Sequence, residues 1–428
     1  MDTQTDLPEG DPRRGLSTMA RGLVGSEILR IAADIRVRQA KGAIICNLTV
    51  GDFSSKEFPI PRALQEATLK ALRAGETNYP PSDGVLRLRE AVRAFYKSQL
   101  GLDVPLESVL IAGGSRPIIY TAYTALIEPG DTVVYPVPSW NNNHYCHLSS
   151  AKQVTLTTRP EDGFLPTAAG LAPHLREARL IALCTPLNPT GTVLHEDELR
   201  RITEAIVEEN RRRERDRERP LYLLFDQVYW MLTFGGARHA TPTGLVPAAA
   251  PYTIYVDGIS KAFASTGLRV GWGIGPKAVI AAMRDLLGHI GAWAPRAEQV
   301  ATAELLRDEA EVARYHAELV GGLRSRLDKL YQGLAAMAAA GLPVRAIAPQ
   351  GAIYLSVQFD LAGKGRFRTN DEVRRYLLDE AGFAAVPFQA FGLGGENGWF
   401  RLSVGAVSER DIVLALPRVE AALRKALA

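Results

Sequence analysis

Tyr252-Thr253-Ile254-Tyr255-Val256-Asp257-Gly258-Ile259-Ser260-Lys261-Ala262-Phe263-Ala264-Ser265-Thr266-Gly267-Leu268-Arg269-Val270-Gly271 is the stretch whose reading decides the fold. Tyr252 to Val256 is a short apolar run and reads as a buried strand. One lysine follows among small, uncharged neighbours. Desolvation there disfavours the ammonium, and a neutral amine can attack a carbonyl to form a Schiff base. Eight residues later Arg269 can offer a fixed, forked cation to a phosphate.

The stretch resembles the cofactor-lysine motif of the class I/II aminotransferases, pyridoxal-phosphate enzymes of fold type I. That motif reads S/G-x-S/A-K-x-x-x-x-x-G-x-R-x-G, and Gly258, Ser260, Lys261, Gly267, Arg269 and Gly271 match every fixed position. The resemblance implies that Lys261 carries the cofactor as a Schiff base and that Arg269 binds its phosphate. Many relatives place a phosphate-binding hydroxyl three residues before the lysine. Here that residue is Gly258, and Ser260 either replaces the hydroxyl or does not.

Moving toward the N-terminus, Leu221 to Phe225 reads as a buried strand ending in Asp226-Gln227-Val228-Tyr229, which is similar to the family's D-x-x-Y. The resemblance implies that Asp226 pairs with the pyridine nitrogen, making the ring an electron sink. Tyr229 would share the cofactor's phenolic oxygen with Asn188 of Asn188-Pro189-Thr190-Gly191, the N-P-x-G signature after the strand Leu180 to Cys184. A turn-capping Asp226 is the plain alternative. Asp197 to Arg213 reads as an amphipathic helix.

Trp140 follows the strand Thr132 to Tyr135, where relatives stack an aromatic on the cofactor; a core tryptophan is the alternative. Asn141 to His144 stands beside it without an assigned role, and His144 and His147 read as structural. The strand Ser108 to Ala112, Gly113-Gly114-Ser115-Arg116 and the helix Ile118 to Ile127 form a strand, glycine turn and helix N-terminus. Backbone amides and the helix dipole favour an anion there, so Gly114, Ser115 and Arg116 are expected around the phosphate. Tyr79 lies in an element resembling Y-x-x-x-x-G-x-x-x-L-R, whose tyrosine in relatives reaches the other subunit's cofactor; a loop-capping tyrosine is the alternative. Gly51, after the strand Ile44 to Leu48, resembles a glycine that approaches the substrate carboxylate; a plain strand-to-loop turn is the alternative.

Toward the C-terminus, Trp293 and Arg296 read equally as specificity residues or as core and surface residues. Residues 295–340 read as mostly helical with a soft point at Gly321-Gly322. Strands are expected at Leu268 to Ile274, Val344 to Ala348, Ile353 to Phe359 and Phe400 to Val404, and a helix at Asp371 to Glu380. Arg401 sits in Phe400-Arg401-Leu402-Ser403, similar to the family's h-R-L/I-S, whose arginine grips the substrate α-carboxylate. An arginine flanked by apolar strand residues needs an anionic partner, from substrate or from the protein itself.

Composition agrees with a globular enzyme. Hydrophobic residues make up 46% and charged residues 23%, with a formal net charge of +3. The densest charge run, Arg211 to Arg219, mixes signs and does not read as a nucleic-acid tract. Cys46, Cys146 and Cys184 are far apart, which argues against a disulfide framework or a metal site and fits the cytoplasm. No signal-like or membrane-length apolar run is present. Residues 1 to about 17 read as a mobile arm, and Ser26 to Val37 as a helix capped by Ser26.

The expected fold is α/β: a large domain over residues 61–295 with a mainly parallel sheet, and a small α+β domain from residues 1–60 and 296–428. The resemblance implies a homodimeric transaminase using pyridoxal 5′-phosphate, taking an amino acid and a 2-oxo acid through a ping-pong reaction. The substrate-side residues are Gly51, Trp140, Asn188 and Arg401. A C–S lyase or a cyclopropane-forming synthase could use the same residues. A pyridoxal-phosphate-binding regulator is the non-catalytic alternative, against which the short segment before the first family element speaks.

Overall fold

The computed structural model describes residues 15–23, 25 and 27–428. Ser26 and most of the expected N-terminal arm therefore lie outside the described residues. Among those described, the strands are β1 (Cys46–Asn47), β2 (Val109–Ala112), β3 (Thr132–Val137), β4 (Lys152–Thr157), β5 (Ala178–Cys184), β6 (Tyr222–Asp226), β7 (Thr253–Gly258), β8 (Gly271–Ile274), β9 (Val344–Ala346), β10 (Tyr354–Phe359), β11 (Phe383–Ala384), β12 (Val386–Pro387) and β13 (Trp399–Ser403).

Seven strands form the large sheet in the order β2-β8-β7-β6-β5-β3-β4. From β7 to β4 every pairing is parallel, while β8 runs antiparallel to both β2 and β7. β3, β7 and β8 are buried along their whole length, so they read as near-continuous apolar runs. The edge strand β4 alternates exposed and half-buried residues, and its polar character hides it from a search for apolar runs. Ligands of such sheets sit beyond the carboxyl ends of the strands, where Asn188 and Lys261 follow β5 and β7 and Asp226 ends β6.

β7 is anchored by a buried polar cluster. Asp257 accepts hydrogen bonds from Tyr96 Oη (2.7 Å), Trp230 Nε1 (2.8 Å) and the Gly258 amide (2.7 Å). Burial pushes its carboxyl up to about 7, while these donors pull the other way. Tyr96 also accepts from Trp272 Nε1 and Gln227 Nε2, both at 3.1 Å. The strand before the lysine is thus tied to β8, to the loop after Asp226 and to the helix Leu86–Leu100.

A second, antiparallel sheet has the order β12-β13-β10-β9, and β1 pairs parallel with β11. The loop after β1 rides on this sheet: the Ser403 amide donates to Leu48 O (2.8 Å) and Ser403 Oγ to Val50 O (2.7 Å). Residues 49–53 and Arg401 are consequently delivered to the large sheet together.

Several expectations need correction. The helix after the glycine turn is Ser115–Leu126, beginning earlier than expected because Pro117 is tolerated in a first turn. The strand expected from Leu268 starts only at Gly271, since Thr266–Leu268 form a 3-10 turn and Arg269 has φ +55°. The helical stretch after Pro295 is two helices, Arg296–Arg307 and Glu309–Ala339, divided where the Asp308 carboxylate caps the second. Gly321 and Gly322 make no break in that second helix, which a buried stripe including Leu319, Leu323, Leu327 and Leu330 holds against the core.

Candidate active site

Lys261 lies on the single helical turn Ile259–Ala262 after β7, with its Nζ donating to the Gly51 carbonyl at 2.7 Å. Burial pushes its amine down to about 8, opposed by Asp52 and reinforced by Arg401, Arg116 and Arg269. The Phe53 and Tyr229 rings lie 5.8 and 5.9 Å from Nζ. The amine is held at the small sheet's loop by a backbone carbonyl rather than by an ion pair.

Arg401 enters from β13 and is 1% exposed. Its guanidinium donates to Asn188 Oδ1 (3.2 Å) and Thr49 O (2.6 Å) and lies 4.7 Å over the Tyr354 ring and 4.8 Å over the Phe391 ring. Among the described residues no carboxylate pairs with it, and its buried Nε has no hydrogen-bond partner. Burial lowers its proton affinity. A forked buried cation with an orphaned donor matches a carboxylate from outside the protein. Gly51 completes this corner: a side chain there would collide with Tyr354 Oη, 2.9 Å from the Cβ position.

Asp226 ends β6 and accepts from the Val228 amide at 3.2 Å. Burial raises its carboxyl to about 6, with the Val228 amide and Lys261 pulling it down. Tyr229 Oη and Tyr354 Oη share a hydrogen bond of 2.6 Å. Arg269, in the left-handed region, donates to Thr266 O (2.7 Å) and Gly113 O (2.9 Å). Gly114, at φ +96°, lies so close under this guanidinium that any side chain would displace it. Glycine turn, helix start and arginine together form a positively charged corner of the kind that favours an anion.

Trp140 is capped by the Arg116 guanidinium, 4.6 Å from the ring, and its loop is tied to Phe391 by the Ser139 amide at 2.9 Å. Ser260 makes no side-chain hydrogen bond among the described residues. Tyr79 is 84% exposed and meets Trp293 edge-on at 5.5 Å. Arg296 is engaged by Glu76 at 2.5 Å, which favours the surface reading of that residue. Asn141 starts the helix Asn142–Leu148 in a left-handed conformation, and Asn142 Oδ1 accepts from Tyr123 Oη at 3.1 Å. Sequence reasoning missed four participants: Thr49, Asp52, Tyr354 and Phe391. Tyr354 stood in the expected strand Ile353 to Phe359; Phe391 carried no signal, because only the fold brings its 3-10 turn under Arg401.

A buried amine, an unpartnered buried guanidinium and a glycine turn at a helix start meet beyond the carboxyl ends of a mostly parallel sheet. The family model described as "Aminotransferase class I and II" matches residues 43–419. The chain is 30% identical over 405 residues to an aspartate aminotransferase of Rhizobium meliloti (strain 1021), covering 93% of each protein. It is 30% identical over 413 residues to a probable aspartate/prephenate aminotransferase of Thermus aquaticus, covering 96% of this chain and 100% of that one. An aspartate aminotransferase from Thermus thermophilus with maleate superposes with a TM-score of 0.86 at 28% identity, covering 96% and 100% of the two chains. The chain belongs to the class I/II aminotransferase family, and it is an enzyme, a transaminase. No helix among the described residues is long and apolar enough to cross a membrane.

Proposed function

We propose that this enzyme moves the amino group of an acidic L-amino acid to a 2-oxo acid. The observation that carries the reading is the pairing of Lys261, an amine near neutrality, with Arg401, a buried cation whose Nε has no partner. The acidic donor is supported by relatives named aspartate aminotransferases, one of them solved with maleate.

Pyridoxal 5′-phosphate fits the residues present. Gly114, Ser115, Arg116 and Arg269 would hold its phosphate, Asp226 its ring nitrogen, Asn188 and Tyr229 its phenolic oxygen, Trp140 its face and Lys261 its aldehyde carbon. When bound, it supplies an electron-accepting ring. Arg401 and the backbone at Gly51 orient the substrate so that its Cα hydrogen faces Lys261. Lys261 takes that proton as a base and returns one as an acid, which an amine titrating close to the working pH does in both directions. Asp226, raised to about 6, remains charged at neutral pH and favours a protonated nitrogen beside it.

We further propose a homodimer in which Tyr79 reaches the partner's phosphate, since the exposed apolar residues Leu69, Leu72, Leu86 and Ile290 lie on helices flanking Tyr79 and Trp293 in the chain. The division at residues 60 and 295 and a cytoplasmic setting, suited to three free thiols, belong to the same reading. The test is the visible absorbance of the protein with pyridoxal 5′-phosphate, followed as each amino acid is added. A band that bleaches with acidic donors first, and is missing in Lys261→Ala, is expected. Full turnover by Lys261→Ala would overturn the assignment.

A further inference from the structure

Proposing Lys261 as the proton carrier leaves one charged neighbour without a task. The groups facing its amine are Arg116 from the helix Ser115–Leu126, Arg269 from the turn before β8, Arg401 from β13, Asp226 from β6, the Tyr229 ring, and Asp52 from the loop after β1. In the proposed function Arg269 and Arg116 answer to phosphate, Arg401 to the α-carboxylate and Asp226 to the ring nitrogen. Asp52 answers to none of these. Among the described residues it forms no ion pair with any of the three arginines, its bonded partners being Thr266 and the Phe53 amide.

Its geometry is that of a built feature. Lys261 Nζ is bonded to the carbonyl of Gly51, the residue next to Asp52, so the loop that carries the carboxylate is fixed at the amine. Asp52 Oδ1 accepts from Thr266 Oγ1 (2.6 Å) and from the Phe53 amide (2.8 Å). Among the described residues no protein donor reaches Oδ2. Thr266 belongs to the turn that also receives Arg269, through Thr266 O at 2.7 Å. One oxygen is therefore clamped between the loop of the small sheet and the lysine loop of the large one.

We propose that Asp52 is a positioning residue for Lys261: its clamped carboxylate is the fixed negative charge that lets the amine hold a proton among three guanidiniums. Without it, burial and three like charges would leave the amine too weak a base to take the substrate's Cα proton. Asp52 opposes those effects in the electrostatics of the site, where it is the leading group raising the amine's proton affinity.

Both hydrogen bonds land on Oδ1, so Asp52→Asn can keep them through its amide oxygen and lose only the charge. The test is the pH dependence of Lys261 acetylation by acetic anhydride in the full chain freed of cofactor, read by mass spectrometry. The labelling midpoint is expected to fall by about 1 pH unit in Asp52→Asn and to return most of the way in Asp52→Glu. Circular dichroism checks folding. Should Asp52→Asn not fold, Thr266→Val, which frees the clamped carboxylate, is expected to move the midpoint in the same direction by less. An unchanged or raised midpoint in the folded variant overturns the proposal.

The inference rests on the proposed role of Lys261, but the two fail separately. An unmoved midpoint beside a normal visible band in the wild-type protein defeats Asp52 alone. A shifted midpoint in a protein that forms no band upholds the pairing of Asp52 with Lys261 and defeats the proposed function.

Discussion

Replacing Arg401 by methionine separates what this residue does for a substrate carboxylate from what it does for the fold. The guanidinium is 1% exposed, has a free Nε, and would meet an α-carboxylate with two charge-assisted hydrogen bonds in a dry site. Such bonds contribute about 1.5 to 3 kcal/mol each. With partial compensation, the loss in transition-state binding is about 3 to 5 kcal/mol, a fall in kcat/KM of roughly 150- to 5,000-fold. The assay pairs enzyme and substrate changes. Wild type and Arg401→Met are each given the amino acid and the corresponding amine lacking its α-carboxylate, and bleaching of the visible band is followed in single turnovers. The penalty is expected with the amino acid and nearly absent with the amine, since nothing remains for the arginine to hold. Equal penalties with both substrates would refute the reasoning and make Arg401 a structural residue, bracing Asn188 and the Thr49 carbonyl.

Two further outcomes test the cofactor side. Asp226 has its proton affinity raised by burial, to about 6, so the folded protein binds this proton more tightly than the unfolded chain. That contribution is complete below the unfolded value near 4 and is lost as pH rises through about 6. Asp226→Asn lacks it, so in urea denaturation of the cofactor-free protein the variant should gain on wild type between pH 4 and pH 6 by up to about 3 kcal/mol. A difference that does not change with pH would show that Asp226 titrates as an ordinary surface carboxylate. Gly114→Ala forces a Cβ into the Arg269 guanidinium at a backbone position with φ +96°. Affinity for pyridoxal 5′-phosphate, followed by tryptophan fluorescence, is expected to fall at least about tenfold, and unaltered affinity would remove the phosphate site from this turn.

Much of this was readable along the chain because the chemistry is carried by short segments at strand ends. Lys261, Asp226 and Asn188 each follow an apolar run that ends in a loop, and a run of that kind identifies itself by composition. The polar edge strand β4 went unread for the opposite reason, its residues being half exposed. The chain break at Asp308 was hidden because the sequence on either side is equally helical, and only the capping bond to the Glu311 amide marks it. Trp293 and Arg296 could not be decided in advance. Their partners, Tyr79 and Glu76, come from more than 200 residues away.

The sheet class, the order of the motifs and the residue types that the chemistry needs are written along the chain, because they depend on local periodicity and on individual side chains. That Arg401 is buried with an orphaned donor, that Gly51 must be bare beneath Tyr354, and that Asp52 is clamped to Thr266 follow from long-range packing. Arg401 and Asp52 join β13 and the loop after β1 to the large sheet, while Gly51 meets Tyr354 of the second sheet. Such contacts between segments hundreds of residues apart are set by how two sheets pack, a property that no local stretch encodes.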